Sequence, residues 1–510
     1  MKMKKSYLKK NFFAGSDSLL VRAAMPAINL PNVFYNLGSL LFVESLFMLI
    51  PLSVCIILGE SDWKAFAVGA GVTAFCAFLL KFLTKGRNPR FGRRDGCLLT
   101  ALVWVAFSAL GMIPFLICAT PLNVSEGFFE AMSGFTTTGA TVIRDVELCS
   151  HGILLWRGLT QWLGGLGIVL FTIAIIPSLN STGGLSMFNA EVSGITHDKL
   201  GSRIADTAKI LWGLYLALTM VLVGLLWAGP MSLFDAVCHA LSTISTGGYS
   251  THSDGIAGYG SAYLKIVLTI FMFIAGVNFS LLYATFRGHW RSLTRNDVFR
   301  AYLLFILLNF LVVAPTILLR GHYDGWQSIT VDPLFHIVSA ITSTGLGAGN
   351  FEAWGPLVVV LTIIMMYVGA CAGSTTGGAK IDRMLYLLKS FRVEVKRAIR
   401  PRSVLPVSVN GQYVSEEKGH EIVAFLMIFT ALTVFGGLVL SAMDFPVGDS
   451  FFAAFSCTAN NGLGAGMTGI SGSYDFLPDA GKWVMSFLML AGRLEVFTVI
   501  IIFTPSFWKK

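Results

Sequence analysis

Four times along this chain an apolar stretch too short to cross a bilayer runs straight into a cluster of Thr, Ser, Asn and Gly. The clusters are Thr137-Thr138-Gly139-Ala140-Thr141, Ser245-Thr246-Gly247-Gly248-Tyr249, Ser343-Thr344-Gly345-Leu346-Gly347 and Asn460-Asn461-Gly462-Leu463-Gly464. Aligned on Gly139, Gly247, Gly345 and Gly462, they are preceded by Thr138, Thr246, Thr344 and Asn461. Six positions upstream stand Ser133, Ser339 and Ser456, with Leu241 in the second copy; ten upstream stand Phe129, Phe335 and Phe452, with Val237 in the second. Glu126, Asp332 and Asp449 lie thirteen upstream, and Asp235 of the second copy falls one residue late. Self-similarity at fixed spacing marks a repeat architecture, and the second copy has drifted most.

Such a repeat makes sense only in lipid. Hydrophobic residues are 55% of the 510 and charged ones 13%, about half the ~25% that a water-facing globular protein carries. Apolar runs such as Ser39–Leu58, Leu98–Leu116, Leu211–Trp227, Ile266–Leu282, Leu303–Leu319 and Val484–Phe503 approach the ~20 residues of a spanning helix. The expected fold is all-α and integral to the membrane, with a tail over 1–32 and a helix pair within 33–95. Four units follow at 96–180, 205–290, 298–402 and 418–510. Each is a spanning helix, a re-entrant half-helix and a second spanning helix, so ten full spans are expected, with only the last element of the third unit strongly broken.

The net charge of +9 does not point to nucleic acid, because its placement is that of a membrane protein against lipid. Of 37 Lys and Arg, 30 fall in six segments that share one side if the spans alternate. The positive-inside rule makes that side cytoplasmic, together with both termini. The opposite loops are acidic (Glu60, Asp62, Glu126, Asp145, Glu147 and others), which either concentrates cations at an entrance or is ordinary loop solvation. The eight cysteines form no CxxC pair and read as small buried hydrophobes.

Each half-helix must enter and leave on one side, and non-helical backbone at that depth survives only when buried in protein or lining a watery cavity. Four such backbones on one axis stack rings of carbonyl oxygens that can replace the water shell of a cation. Glycine is required because aiming successive carbonyls inward uses backbone angles that a Cβ forbids. The helix C-termini add the negative ends of their dipoles, and the acid at the opposite end reads as an N-cap, with cation attraction as the alternative. The expected ion-binding set is Thr137, Thr138, Gly139, Ser245, Thr246, Gly247, Ser343, Thr344, Gly345, Asn460, Asn461 and Gly462.

A second feature lies below that level. In the third unit Gly369 is followed by nine small or polar residues. Glycines cost a helix ~1 kcal/mol each against Ala, so Gly373, Ser374, Thr375, Thr376, Gly377 and Gly378 read as an intramembrane loop obstructing the pore. A close helix contact through small residues is the alternative. Lys380, two residues on, is counted with this loop in the candidate gate. Arg493 lies inside the last span, where a charge is expensive and faces a cavity or a partner; a structural ion pair, with Glu495 or another acid, is one reading. Arg157 is expected to snorkel to the interface.

With these strings in view, the chain from about residue 33 onward resembles the TrkH-type subunits of the Trk/Ktr/HKT superfamily of potassium transporters. The specific segments are SGFTTTGATV, LTQWLGGLGIVLFTIAIIP, HALSTISTGGYS, SAITSTGLGAGNF, CAGSTTGGAKIDR and AGRLEVFTVIIIFTP. The resemblance implies four membrane–pore–membrane modules around a pseudo-fourfold pore, with two extra N-terminal helices. It implies K+ as the transported ion at the filter residues, since a glycine in all four filters accompanies potassium and a serine in the first accompanies sodium. It also implies a gate formed by the loop and Arg493, a homodimer with one pore per protomer, and a cytosolic nucleotide-binding regulatory ring on the basic face. No cofactor is implied.

Other classes fit less well. The chain has no HExxH, no GxSxG, no Walker loop and no paired metal-ligand spacing, so an enzyme is not expected. A secondary transporter for an organic solute usually shows inverted repeats and broken helices in matching halves. The same fold with sodium as the main ion is the nearest alternative.

Overall fold

The computed structural model describes residues 28–84, 92–167, 204–321, 325–403, 405–469 and 473–508. The expected tail before residue 28, and the second half of the element expected at 153–178, lie outside the described residues.

Two antiparallel helices lead, α1 (Leu30–Leu58) and α2 (Trp63–Leu83). Asn29 caps α1 by accepting from Asn32 N, and Gly59 in the left-handed region ends it. The acids of the turn between them are not solvated entrance charges. Glu60 Oε1 accepts from His151 N at 2.9 Å and pairs with the His151 ring Nδ1 at 2.7 Å. Asp62 accepts from Ala119 N at 2.9 Å and from Ser150 Oγ at 2.5 Å. Both therefore sit at the amino end of the helix that begins at His151, where the dipole favours negative charge. They clamp the leading pair onto the first unit from above, and Asn29 N to Asp95 Oδ1 (2.8 Å) ties it from below.

Each unit sets a short helix after a long spanning one. The first is α3 (Arg93–Gly111) with its continuation α4 (Ile113–Ile117), then α5 (Val124–Phe135) and α6 (His151–Gly165). The second is α7 (Ile204–Trp227), α8 (Leu233–Ile244), α9 (Ala262–Ala275) and α10 (Phe279–Phe286). After α11 (Trp290–Arg295) the third runs α12 (Asp297–Leu319), α13 (Trp326–Ile341), α14 (Pro356–Val368) and α15 (Ile381–Ile399). A small hairpin, β1 (Ser408–Val409) with β2 (Gln412–Tyr413), precedes the fourth. That unit is α16 (Glu416–Ser441), α17 (Val447–Thr458), α18 (Asp479–Arg493), α19 (Phe497–Phe503) and α20 (Pro505–Trp508). The 12 residues of α5, α8 and α17 reach ~18 Å, well short of a ~30 Å hydrocarbon core.

Among the described residues six helices are long and apolar enough to span, or eight if each bent pair is one span. Breaks are more widespread than the sequence suggested. The stretch expected as one helix over 261–286 turns by 104° between α9 and α10, and that over 481–507 turns by 115° between α18 and α19. In the second unit Gly276 ends α9 and Asn278 restarts the chain by accepting from Leu281 N at 3.0 Å. In the fourth, Glu495 and Val496 take φ of 53° and 55°, a region that a β-branched residue rarely enters.

None of the four acids is the N-cap that the sequence suggested: Glu126, Asp235 and Asp449 stand in the first turn behind Asn123, Ser232 and Pro446, and Asp332 lies within α13, which starts a full turn earlier at Trp326. Glu126 forms a reciprocal capping box with Asn123 and also accepts from Lys482 Nζ of the fourth unit at 2.8 Å. Asp332 of the third unit accepts from Lys265 Nζ of the second at 2.7 Å. These pairs staple neighbouring units at the outer rim.

Burial alone would raise the Glu60 carboxyl, but the donors at His151 and Gly152 hold it below the ordinary carboxylate value. A depressed folded value stabilises the protein above the unfolded carboxylate range and loses that stabilisation as pH falls. Thermal unfolding in detergent should therefore show Glu60→Gln less stable than the parent by about 1 kcal/mol at pH 7. That gap should narrow toward pH 4; a gap that widened on acidification would contradict the clamp.

Candidate ion pathway

The four polar clusters meet around one axis, and glycine packing shows how. Thr137, Thr246, Ser343 and Asn460 take φ of 54°, 55°, 51° and 51°, each just beyond a short helix. Two residues on, Gly139, Gly248, Gly345 and Gly462 take φ of 81°, 83°, 74° and 74°. A Cβ on Gly139 would lie 2.1 Å from Gly247 O, and one on Gly248 would lie 1.9 Å from Thr344 O. One on Gly345 would lie 1.9 Å from Asn461 O, and one on Gly462 would lie 2.2 Å from Thr138 O. The contacts run from first unit to second, third, fourth and back to first. That circuit closes a four-membered ring.

The ring corrects the register of the second copy. The counterpart of Gly139, Gly345 and Gly462 is Gly248, not Gly247; Gly247 matches Thr138, Thr344 and Asn461. Backbone bonds say the same, since Thr138, Gly247, Thr344 and Asn461 each donate to Ser133, Ser242, Ser339 and Ser456 respectively, at 2.8–3.0 Å. Counted from Gly248, Asp235 falls thirteen back and Ser242 six back, so the apparent drift was largely a one-residue misalignment. Ser245 correspondingly matches Thr136, one step before the bent strand.

What holds the strands from behind is largely side chains that the repeat did not point to. Gln161 of α6 donates Nε2 to Gly247 O at 2.7 Å and accepts from Tyr249 N at 3.2 Å. Arg157 does not snorkel. It is 2% exposed, ion-paired with fully buried Glu130 at 2.8 Å, and stacked 4.0 Å from the centre of the Tyr249 ring. Glu130 also accepts from Thr141 Oγ1 and Val142 N, both at 3.0 Å, while Arg157 Nη1 donates to Ser250 O at 3.2 Å. First and second strands are thereby tied through one buried pair. An Arg and a Glu 27 apart in apolar surroundings were the available signal. In the fourth unit Asn461 Nδ2 donates to Ala340 O at 2.7 Å, and Asn460 Nδ2 to Thr138 Oγ1 at 3.0 Å, so these amides bridge to units three and one. Above the ring, a vestibule is lined by Gly139, Gly248, Gly345 and Gly462 together with Arg144, His252 and Tyr474.

Below the ring lies the segment between α14 and α15. Thr375 Oγ1 is 3.3 Å from Thr246 Oγ1 and donates to Ile244 O at 3.2 Å. Gly377 N donates to Ser343 Oγ at 2.6 Å, and a Cβ on Gly377 would lie 2.1 Å from Ala459 O. Gly373 and Gly378 take φ of 75° and 76°. Gly373 O accepts from Phe279 N at 3.0 Å, and Cys371 N donates to Gly276 O at 3.1 Å, so the break in the second unit receives this loop. Ser374 Oγ and Thr376 Oγ1 are 2.7 Å apart, and Lys380 Nζ donates back to Thr376 O.

Arg493 closes the remaining quadrant. Its Nη1 donates to Thr375 O at 2.9 Å, and its Nη2 to Gly164 O at 2.7 Å and Gly165 O at 2.6 Å, at the end of α6. The alternative of a pair with Glu495 is overturned, because Glu495 accepts instead from Arg383 Nη2 at 2.5 Å. The loop thus touches units two, three and four directly and unit one through Arg493. Among the described residues no group of His, Cys, Asp and Glu could hold a metal ion in the manner of a metalloenzyme.

Four pore-loop units closed on one axis within an apolar helical frame define a membrane transport protein of the pore-loop class. Comparison with known proteins makes this specific. The model of the TrkH family, described as a cation transport protein, matches residues 64–510, and the chain belongs to that family. The Trk system potassium uptake protein TrkH of Vibrio parahaemolyticus is 34% identical over 486 residues, covering 94% of this chain and 99% of that protein. The TrkG protein of Escherichia coli (strain K12), also named a Trk system potassium uptake protein, is 33% identical, covering 94% of this chain and 98% of its own. The crystal structure of the potassium transporter TrkH from Vibrio parahaemolyticus matches with a TM-score of 0.85 at 31% identity, covering 94% of this chain and all of that one.

Removing one partner of a buried ion pair leaves an uncompensated charge, a loss of ~3–5 kcal/mol. Glu130→Gln should therefore lower the unfolding temperature and membrane yield sharply, and Glu130→Met with Arg157→Met should recover much of the loss. Equal instability of the single and double variants would show that the pair is not what matters there.

Proposed function

We propose that this chain is a potassium uptake subunit of a bacterial inner membrane, with both termini cytoplasmic, carrying K+ as its substrate through the glycine ring. The observation that supports it best is the closed circuit of glycine and carbonyl contacts. It leaves backbone oxygens of Thr138, Gly247, Thr344 and Asn461 around one axis, the ligand type that suits a dehydrated monovalent cation. Ions would be held by the oxygens of Thr137, Thr138, Gly139, Thr246, Gly247, Gly248, Ser343, Thr344, Gly345, Asn460, Asn461 and Gly462. Ser245 would serve as a support beneath.

In this reading the segment Gly373–Gly378 is the gate, held shut by Arg493 and by its own bond from Lys380. The guanidinium adds a positive charge under the filter, which opposes cation passage while the loop is in place. As a partner we propose a second copy of the chain, each protomer with its own pore. A nucleotide-binding regulatory ring is proposed on the basic cytoplasmic stretch that contains α15. The chain performs no chemistry on its substrate in this reading and needs no bound cofactor.

Two measurements test the pathway and gate. Uptake of K+ or Rb+ into proteoliposomes should fall in Gly248→Ala by at least roughly tenfold, the factor given by ~1.4 kcal/mol of site distortion. Gly213→Ala, where an added Cβ meets nothing within 4 Å, serves as the control. Unchanged uptake in Gly248→Ala would remove the ring from the ion path. For the gate, Arg493→Gln weakens the hold on Thr375 O. Losing ~1 kcal/mol of closed-state bonding shifts the open population by about fivefold, so flux should rise by that order; a fall would make Arg493 a structural anchor.

A further inference from the structure

The corrected register exposes a serine row. Ser133, Ser242, Ser339 and Ser456 stand six residues before Gly139, Gly248, Gly345 and Gly462, one in each short helix, and all four are fully buried. A hydroxyl in a helix usually finds its own carbonyl four residues back, yet none of these does so. In the third unit Ser339 Oγ donates to Leu346 O at 2.9 Å, the carbonyl just after the ring glycine. That bond turns the outermost peptide of the strand back toward its helix and away from the axis.

None of the other three hydroxyls bonds the equivalent carbonyl among the described residues. Ser133 instead faces the phenol of Tyr249, and Ser456 that of Tyr474. In the first unit the equivalent carbonyl, Ala140 O, accepts at 3.4 Å from Tyr249 Oη, which it shares with Glu130 O at 3.0 Å. A buried hydroxyl left without a partner costs ~1–3 kcal/mol, so each serine serves whichever acceptor lies in reach. Here the same position recurs four times, and the bond is made once.

Building on the proposal that the ring is an ion filter, we infer that the serine row positions the outer peptides of that filter, with Ser339 as its anchor. Ser339 pins the third strand's outer peptide, so its loss lets Leu346 O turn toward the axis and alters the outermost ring of oxygens. In the other three units the outer peptide is fixed less tightly, and the serine is a donor that it can reach by turning. Ser339 is thus a specificity-determining position that touches no ion. The filter is fourfold in its glycines and asymmetric in what holds its outer end.

The test is competitive uptake of Rb+ and Na+ into proteoliposomes by full-length protein carrying single Ser→Ala changes. Ser339→Ala should lower the Rb+/Na+ ratio by at least threefold at unchanged protein yield and unfolding temperature. Ser339→Thr, which keeps the hydroxyl, should restore most of it. Ser133→Ala, Ser242→Ala and Ser456→Ala should each shift the ratio by less than half as much, although all four serines are equally buried. Four equal losses would reduce the row to helix packing, and a parental ratio in Ser339→Ala would overturn the inference outright. Either result leaves the filter itself standing, because that reading is decided by Gly248→Ala.

Discussion

A glycine Cα pressed against a neighbour's carbonyl oxygen leaves no room for a methyl group, and in this chain that contact recurs in a closed circuit of four. The positive φ at each of these glycines is open to residues without a Cβ at little cost, while the close approach excludes the Cβ by volume. Both demands fall on the same atom. Everything else in the structure serves to deliver four strands to that ring: short helices ending at a common depth, longer helices holding them apart, and caps fixing where each begins.

Strands of bare backbone in a bilayer need polar partners, and the chain supplies them unevenly. The first and second strands share the Glu130–Arg157 pair and Gln161, whereas the fourth uses its own two asparagines as bridges to units one and three. A buried ion pair does not add much net stability over an apolar core, since desolvation offsets attraction. What it provides is geometry, because Glu130 has acceptor sites enough to hold Thr141, Val142 and Arg157 at once. The lower side of the ring follows the same logic with opposite charge sign: Arg493 donates to three backbone carbonyls from two units, so peptide dipoles solvate the guanidinium.

The large features were legible in the sequence because they rest on periodicity and hydropathy. The apolar runs, the short helices between them and the break after Val368 are each set by local composition. The errors have one physical origin, which is that tertiary contact decides where local signals are balanced. Thr246-Gly247-Gly248 contains two glycines, and only the neighbouring carbonyl of Thr344 determines which one takes the bent position. The bends at Gly276–Asn278 and at Glu495–Val496 follow apolar stretches that would run on as helix, and in the second unit the freed backbone groups bond to the loop of the third. Arg157 sits near a span's end, where snorkelling is the default, and only the fold brings Glu130, 27 residues away, against it.

Broken second helices in units two, three and four also weaken an argument drawn from sequence, that a single break separates this chain from alternating-access carriers. The distinction has to rest elsewhere. In carriers built from inverted repeats, broken helices create one central site between two halves. Here the breaks sit beneath a ring to which four same-sense units contribute equally, and they form a socket: Gly276 O and Phe279 N bind the third unit's loop, while Arg383 joins that loop's outgoing helix to Glu495 at the fourth unit's bend. A socket of that kind seats one loop against the ring. It places that loop off the fourfold pattern, in the one unit whose glycines break the helix most completely.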